Sequence, residues 1–158
     1  MPPPKIYIET TIPSYLTGRP SRDLLIAGHQ QVTHQWWDDR RDDFELYVSQ
    51  LVEDECRAGD VSMAEKRLDI IRGIPLLEIS SDVDRLADQL ITIGPIPTKA
   101  ETDAAHIAVA AIHRVDYLLT WNCKHIANAE MQKSIREICR KAGFEPPIIC
   151  TPEELLGE

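Results

Sequence analysis

The chain has 158 residues, 43% of them hydrophobic and 27% charged, which is typical of one globular domain with a core of its own. No apolar run approaches the roughly 18 residues of a membrane span, and the first residues lead directly into a strand-like run rather than a secretion signal. We therefore expect a cytoplasmic protein with no membrane partner. The formal net charge of −9 argues against a general nucleic-acid coat protein, because an acidic surface gains little from a phosphate backbone.

Short apolar runs alternate with longer helical patterns along the chain, which predicts an α/β fold. Five runs have the β-favouring composition of strands, namely residues 5–9, 45–49, 76–79, 116–120 and 147–150. Runs this short and apolar suit a parallel sheet that is covered on both faces. We predict one domain over residues 1–158, a three-layer α/β/α sandwich around a mostly parallel sheet of four to five strands.

Helix start signals lie between these strands. A helical pattern runs from Ser21 past Trp36. Capping boxes, in which a hydroxyl is followed three residues later by a carboxylate, are predicted at residues 62–65, 98–101 and 151–154, with a weaker one at 81–84. A last amphipathic helix is predicted over residues 126–143, where Gly143 suits a left-handed turn.

The four cysteines are scattered over different predicted elements and form no C-x-x-C pair; they are Cys56, Cys123, Cys139 and Cys150. A zinc site needs clustered ligands, so we expect buried, reduced thiols instead.

Three acidic residues are predicted to meet at one end of the sheet. Glu9 follows the first strand, Glu55 lies in the helix after the second, and Asp103 lies early in the helix that begins near Thr98. Ligands of α/β sheets bind beyond the carboxyl ends of the strands, and close carboxylates repel one another unless a cation lies between them. Hard oxygen ligands favour Mg²⁺ or Mn²⁺, and such ions can activate water beside a phosphodiester.

Each acid also has a structural interpretation. Glu9 and Asp103 could each stabilise the start of a helix, and Glu55 could belong to a solvated face with Glu53 and Asp54. These alternatives stay open for each residue taken singly; the convergence of all three favours a metal site.

Polar neighbours extend this constellation. Asn122 follows the fourth strand and brings an amide without charge. His125 could bind phosphate or cap local backbone. His106 is expected to face partly inward and to pair with a polar neighbour rather than bind metal.

Four stretches of the chain, residues 6–16, 51–59, 103–108 and 117–122, carry these acids in an order that resembles the PIN-domain superfamily, in particular the bacterial VapC-like toxins and their close relatives. The resemblance implies a small PIN-like α/β/α sandwich and a metal-dependent endoribonuclease that hydrolyses RNA with Mg²⁺ or Mn²⁺. It also implies a place as the toxin of a toxin–antitoxin pair, with a cognate antitoxin protein as partner and a homodimer as the expected assembly.

Carried over by resemblance, Glu9, Glu55 and Asp103 are the metal ligands, and Asn122 takes the fourth catalytic position, where many members have aspartate. Glu9 stands where aspartate is usual, which lengthens that side chain by one methylene. Substrate or site water is expected at Thr10, Thr120, Lys124, His125 and Arg22, with Arg19 and Lys99 as further cations near the site.

Other functions fit the residues less well. The two departures from the pattern leave open a catalytically weak or silent PIN-like module that binds RNA or a protein partner. A phosphoryl-transfer protein needs an aspartate nucleophile at a strand end, whereas the first strand ends in Glu9-Thr10-Thr11. A dinucleotide-binding fold is disfavoured because no G-x-G-x-x-G follows any strand.

Overall fold

A computed structural model of the protein describes residues 2–157. Over these residues five strands form one parallel sheet, in the order β3-β2-β1-β4-β5. The strands are β1 (Lys5–Ile8), β2 (Glu45–Ser49), β3 (Leu76–Leu77), β4 (Tyr117–Leu119) and β5 (Ile148–Cys150). The predicted α/β fold with a covered parallel sheet is confirmed, and the sheet is parallel throughout.

Helices follow or precede every strand. The α-helices of the described chain are α1 (Thr11–Thr17), α2 (Leu24–Arg40), α3 (Gln50–Arg57), α4 (Val61–Ile71), α5 (Ser81–Thr92), α6 (Glu101–Ile112) and α7 (Ala129–Lys141). Short 3-10 turns occupy Arg41–Asp43, Thr98–Ala100 and Pro152–Leu155. This alternation around a parallel sheet is consistent with a three-layer α/β/α sandwich.

The core lies on and around β1, the central strand of the sheet, and its neighbour β4. Ile6, Tyr7 and Ile8 are fully buried, as are Leu118 and Leu119. Helix α6 is also buried over most of its length, because its many alanines allow close packing on several sides rather than on one stripe alone.

Several predicted element ends were wrong, each for a local reason. β3 stops at Leu77 instead of residue 79, because its partner β2 ends at Ser49, the residue opposite Leu77. The predicted helix over residues 126–143 begins only at Ala129, where the Asn128 side chain accepts a hydrogen bond from the Glu130 N–H at 3.0 Å. Gly143 has φ +92°, which confirms the left-handed turn.

Three of the four predicted capping boxes were also wrong. The chain makes a 3-10 turn directly after Pro97, so that α6 begins at Glu101 without a capping hydroxyl. At α4 the Asp60 carboxylate accepts from the Met63 N–H at 3.0 Å and so replaces the box predicted at residues 62–65. At α5 the residue before the first turn is Ser80, and its side chain makes no capping bond. The box that begins at Thr151 is confirmed, although it opens a 3-10 turn rather than an α-helix.

All four cysteines are free thiols, as expected, and Cys56, Cys139 and Cys150 are buried. Burial raises the pKa of Cys56 and of Cys139 to about 11 and that of Cys150 to about 12. Cys123 is exposed, so the expectation of burial was wrong for this residue; it lies in the irregular segment after β4 rather than in a strand or helix. Within residues 2–157 no helix is both long and apolar enough to cross a bilayer.

Candidate metal site

The strand order places the candidate site at a defined edge of the sheet. From β1 the chain adds β2 and β3 on one side and then crosses to add β4 and β5 on the other. The order therefore reverses between β1 and β4. An α/β sheet usually binds its ligand beyond the carboxyl ends of the two strands where the order reverses. Glu9 follows β1 and Thr120 follows β4, and the Glu9 N–H donates to the Leu119 carbonyl at 3.1 Å.

Glu9 is almost completely buried, with 3% of its surface exposed. Its Oε1 accepts hydrogen bonds from the Thr11 N–H at 3.1 Å, from the Thr11 hydroxyl at 2.5 Å and from the Thr120 hydroxyl at 2.7 Å. The Thr11 N–H is the first of helix α1, so Glu9 contacts the start of this helix, but the N-cap residue is Thr10 and the first turn holds no acid. All three bonds fall on Oε1, which leaves Oε2 as the oxygen that can receive a cation.

Glu55 projects from α3 toward the same place. Its Oε1 accepts from the Thr10 hydroxyl at 2.7 Å and contacts the Nε2 atom of His106 at 2.5 Å. Burial acts to raise the pKa of Glu55, but the hydrogen bond and charge of His106 and the hydrogen bond from Thr10 outweigh it, so that this pKa is lowered. Glu55 is thus held as a carboxylate. The alternative of a solvated face that includes Glu53 and Asp54 fits only in part, because Asp54 is exposed whereas Glu53 and Glu55 are half-buried.

His106 is fully buried on α6 and is bonded at both ring nitrogens. Nε2 contacts Glu55, and Nδ1 lies 2.7 Å from the Tyr7 hydroxyl, which in turn lies 2.7 Å from the Ser49 hydroxyl. Burial raises the pKa of Tyr7, with the nearby carboxylates acting in the same direction, so that Tyr7 stays a neutral phenol. The prediction that His106 pairs with a polar neighbour is confirmed, and its burial is complete rather than partial.

Together these residues form one compact group. Ligand atoms of Glu9, Glu55 and His106 all lie within 4.8 Å of one another. The structure therefore brings together two of the three predicted ligands, Glu9 and Glu55. Among residues 2–157, Asp103 is not a member of that group.

Asp103 belongs instead to a neighbouring set. Its Oδ2 lies 3.1 Å from Nδ1 of His125, and both side chains are largely buried. The His125 N–H donates to Oδ1 of Asn122 at 3.1 Å, and the Asn122 N–H donates to the Thr120 hydroxyl at 2.9 Å. Since Thr120 also donates to Glu9, a continuous path of hydrogen bonds and covalent bonds joins Asp103 to Glu9.

Apart from His125, which bonds to Asp103, the predicted substrate-binding residues divide into two kinds. The hydroxyls of Thr10 and Thr120 are bonded to the carboxylates of the site, as described above, and Asn122 caps local backbone. Arg22 and Lys124 are exposed and, within the described chain, make no salt bridge; the same is true of Arg19 and Lys99.

Sequence reasoning missed Tyr7, Ser49 and Thr11 as parts of the site. A signal for the first two was present, because a polar side chain inside a buried parallel strand needs a hydrogen-bond partner. The signal for Thr11 was weaker: it is the first residue of α1 and lies two residues after Glu9.

The donor set fits a divalent cation. Two carboxylates a few ångströms apart repel each other, and a dication between them removes that repulsion. The oxygens are of the hard type that Mg²⁺ and Mn²⁺ prefer, and none of the four cysteines belongs to the group. No model of a known protein family matches the chain, and no curated protein matches it.

Proposed function

We propose that the chain is a metal-dependent ribonuclease that hydrolyses RNA phosphodiester bonds with Mg²⁺ or Mn²⁺. The observation that carries this proposal is the convergence of Glu9 and Glu55, whose ligand atoms approach within 4.8 Å at the edge where the strand order reverses. A pair of buried or half-buried carboxylates at such an edge is costly without a cation and suited to one.

Glu9 and Glu55 would hold the ion, each through the oxygen that its threonine partners leave free. Asp103, which is held by His125, would be the third acidic residue of the site and would lie on the side where Asn122 is found. A bound Mg²⁺ or Mn²⁺ supplies activated water and stabilises charge on the attacking and leaving oxygens of a phosphodiester. The three hydrogen bonds on Glu9 keep its carboxylate in place, which limits the reorganisation needed when the cation binds.

The choice of RNA as substrate comes from the resemblance to PIN domains. It is supported by exposed cations that have no ion-pair partner in the described chain, Lys124 beside His125 and Arg22 before α2. Such cations can hold the phosphates that flank a scissile bond. A role as the toxin of a toxin–antitoxin pair, with an antitoxin partner and a homodimeric assembly, belongs to the same proposal; growth arrest on expression of the wild type, absent for Glu9→Gln, would support the toxin role.

The test is Mn²⁺-dependent cleavage of a mixed RNA pool. We expect Glu9→Gln to abolish cleavage and Asp103→Asn to reduce it strongly. Asp38→Asn is the matched control, because Asp38 is exposed on α2 and makes no salt bridge in the described chain. Equal activity in wild type and Glu9→Gln would point to a contaminating nuclease and contradict the proposal.

Binding is measured beside cleavage by titration with Mn²⁺. Wild type that binds Mn²⁺ but leaves every RNA intact would identify a catalytically silent module. Wild type that binds no Mn²⁺ would remove the basis of the proposal.

A further inference from the structure

We propose that His106 is a positioning residue that holds Glu55 ready for the cation and is not itself a metal ligand. This inference rests on the proposed metal-dependent function. Atoms of Glu9, Glu55 and His106 could all bind a metal ion. The inference goes beyond the proposed function because it assigns metal binding to the two glutamates and positioning to His106.

The first argument is that a single chain of hydrogen bonds satisfies every member. The Ser49 and Tyr7 hydroxyls lie 2.7 Å apart, the Tyr7 hydroxyl lies 2.7 Å from Nδ1 of His106, and Nε2–H of His106 donates to Oε1 of Glu55. Both ring nitrogens of His106 therefore have a hydrogen-bond partner. No atom of His106 is left to bind a cation.

The second argument is the separation of Nε2 and Oε1, which is 2.5 Å. Two adjacent ligands about 2.1 Å from an octahedral cation lie about 3.0 Å apart. At 2.5 Å, Nε2 and Oε1 are hydrogen-bonded to each other and lie closer together than two ligand atoms that share one such cation.

The third argument concerns access. The His106 side chain has no exposed surface, whereas 36% of the Glu55 side chain is exposed. Of these two bonded groups, the carboxylate is therefore the one that a cation from solvent can reach more easily. His106 and the Thr10 hydroxyl both hold Oε1 of Glu55, so that Oε2 remains for the cation.

His106 would thus orient the Glu55 carboxylate without touching the cation. Loss of a residue that orients a metal ligand typically lowers metal affinity by about 10–100-fold. We expect His106→Ala to weaken Mn²⁺ binding by about that factor. His106→Gln should recover part of the affinity, because its amide N–H can replace Nε2–H. Tyr7→Phe should weaken binding less, because it removes only the hydrogen-bond partner of Nδ1.

The experiment uses the full chain with Mn²⁺ alone. Affinity is measured by a Mn²⁺ titration that is monitored by electron paramagnetic resonance. Nitrogen ligation is measured by electron spin-echo envelope modulation of bound Mn²⁺. His34→Gln is the matched control, since His34 is exposed on α2. We expect the nitrogen modulation of wild type and His106→Gln to be the same, while affinity follows the order wild type, Tyr7→Phe, His106→Ala.

Two results would overturn the inference and leave the proposed function intact. One is a nitrogen modulation in wild type that His106→Gln removes, because His106 would then be a ligand. The other is wild-type Mn²⁺ affinity in both His106→Ala and Tyr7→Phe. Wild type that binds no Mn²⁺ would overturn the proposed function and this inference with it. If His106→Ala does not fold, Tyr7→Phe and the wild-type spectrum still decide the question.

Discussion

The hydroxyl of Thr120 offers a sharp test of how the site is held. It donates to Oε1 of Glu9 at 2.7 Å and accepts from the Asn122 N–H at 2.9 Å, and its side chain is fully buried. Thr120→Val keeps the shape of the side chain and removes both bonds, and water cannot replace them. A hydrogen bond to a charged group contributes about 1.5–3 kcal/mol. We expect the free energy of unfolding in EDTA, measured with urea, to fall by about 2 kcal/mol, and Tm by roughly 4–8 °C.

The same substitution should act on metal binding. Glu9 would keep the two bonds from Thr11 and lose the one from Thr120, so that its carboxylate is no longer bonded to the residue that follows β4. Loss of an outer-shell partner of this kind lowers metal affinity by about 10–100-fold. A Mn²⁺ titration of wild type and variant measures this effect independently of stability.

Thr33→Val is the matched control for Thr120→Val. Thr33 is also fully buried; its hydroxyl donates to the His29 carbonyl at 2.6 Å and accepts from Nε1 of Trp121 at 2.7 Å. It contacts no carboxylate, so we expect a loss of stability of about 1–3 kcal/mol with wild-type Mn²⁺ affinity. Wild-type affinity in Thr120→Val, or equal loss of affinity in both variants, would refute the reasoning.

Three further predictions test other parts of the structure. Lys124→Glu should weaken RNA binding without changing Mn²⁺ affinity, whereas Lys141→Glu, at the far end of α7, should change neither; unchanged RNA affinity in the first variant would exclude that lysine from the interface. In the native protein one thiol per chain, that of the exposed Cys123, should react quickly with iodoacetamide. Burial raises the pKa of this thiol, so its rate should still be rising as pH passes the ordinary thiol value of about 8.5; fast reaction of a second thiol would contradict the described core. Gly143→Ala should lower the free energy of unfolding by about 1–2 kcal/mol, because φ is +92° and alanine is strained there although its Cβ has room; unchanged stability would contradict that conformation.

The fold could be predicted from the sequence because apolar runs and helical patterns are local signals. All five strands were found within two residues of their ends, and a mostly parallel sheet was predicted from their length and composition, whereas the order of the strands was not. Helix starts were less predictable. A hydroxyl and a carboxylate three residues apart mark a capping box only if the helix begins there, and at α4 the competing cap from Asp60 began the helix elsewhere.

The site could be predicted only in part. Glu9 and Glu55 follow adjacent parallel strands, so that topology alone brings them together. The network behind Glu55 could not be predicted, since Tyr7 and His106 are 99 residues apart and Tyr7 and Ser49 are 42 apart. Asp103 was assigned by its place early in α6, but its partner is His125, which comes from the irregular segment after β4. Only the tertiary packing of α6 against that segment decides which carboxylate meets which imidazole.

The extra methylene of Glu9 now has a structural account, and it leads to a last prediction. The longer side chain reaches the hydroxyls of Thr11, the first residue of α1, and of Thr120, which follows β4, and Glu9 is only 3% exposed. Glu9→Asp would withdraw the carboxylate by about 1.5 Å, one C–C bond, and would stretch the 2.7 Å bond from Thr120 beyond hydrogen-bonding range. We therefore expect Glu9→Asp to be less stable in urea and to bind Mn²⁺ more weakly than wild type. Equal or tighter Mn²⁺ binding by Glu9→Asp would show that the backbone can follow the shorter side chain, and that the bonds from Thr11 and Thr120 are not what position 9 requires.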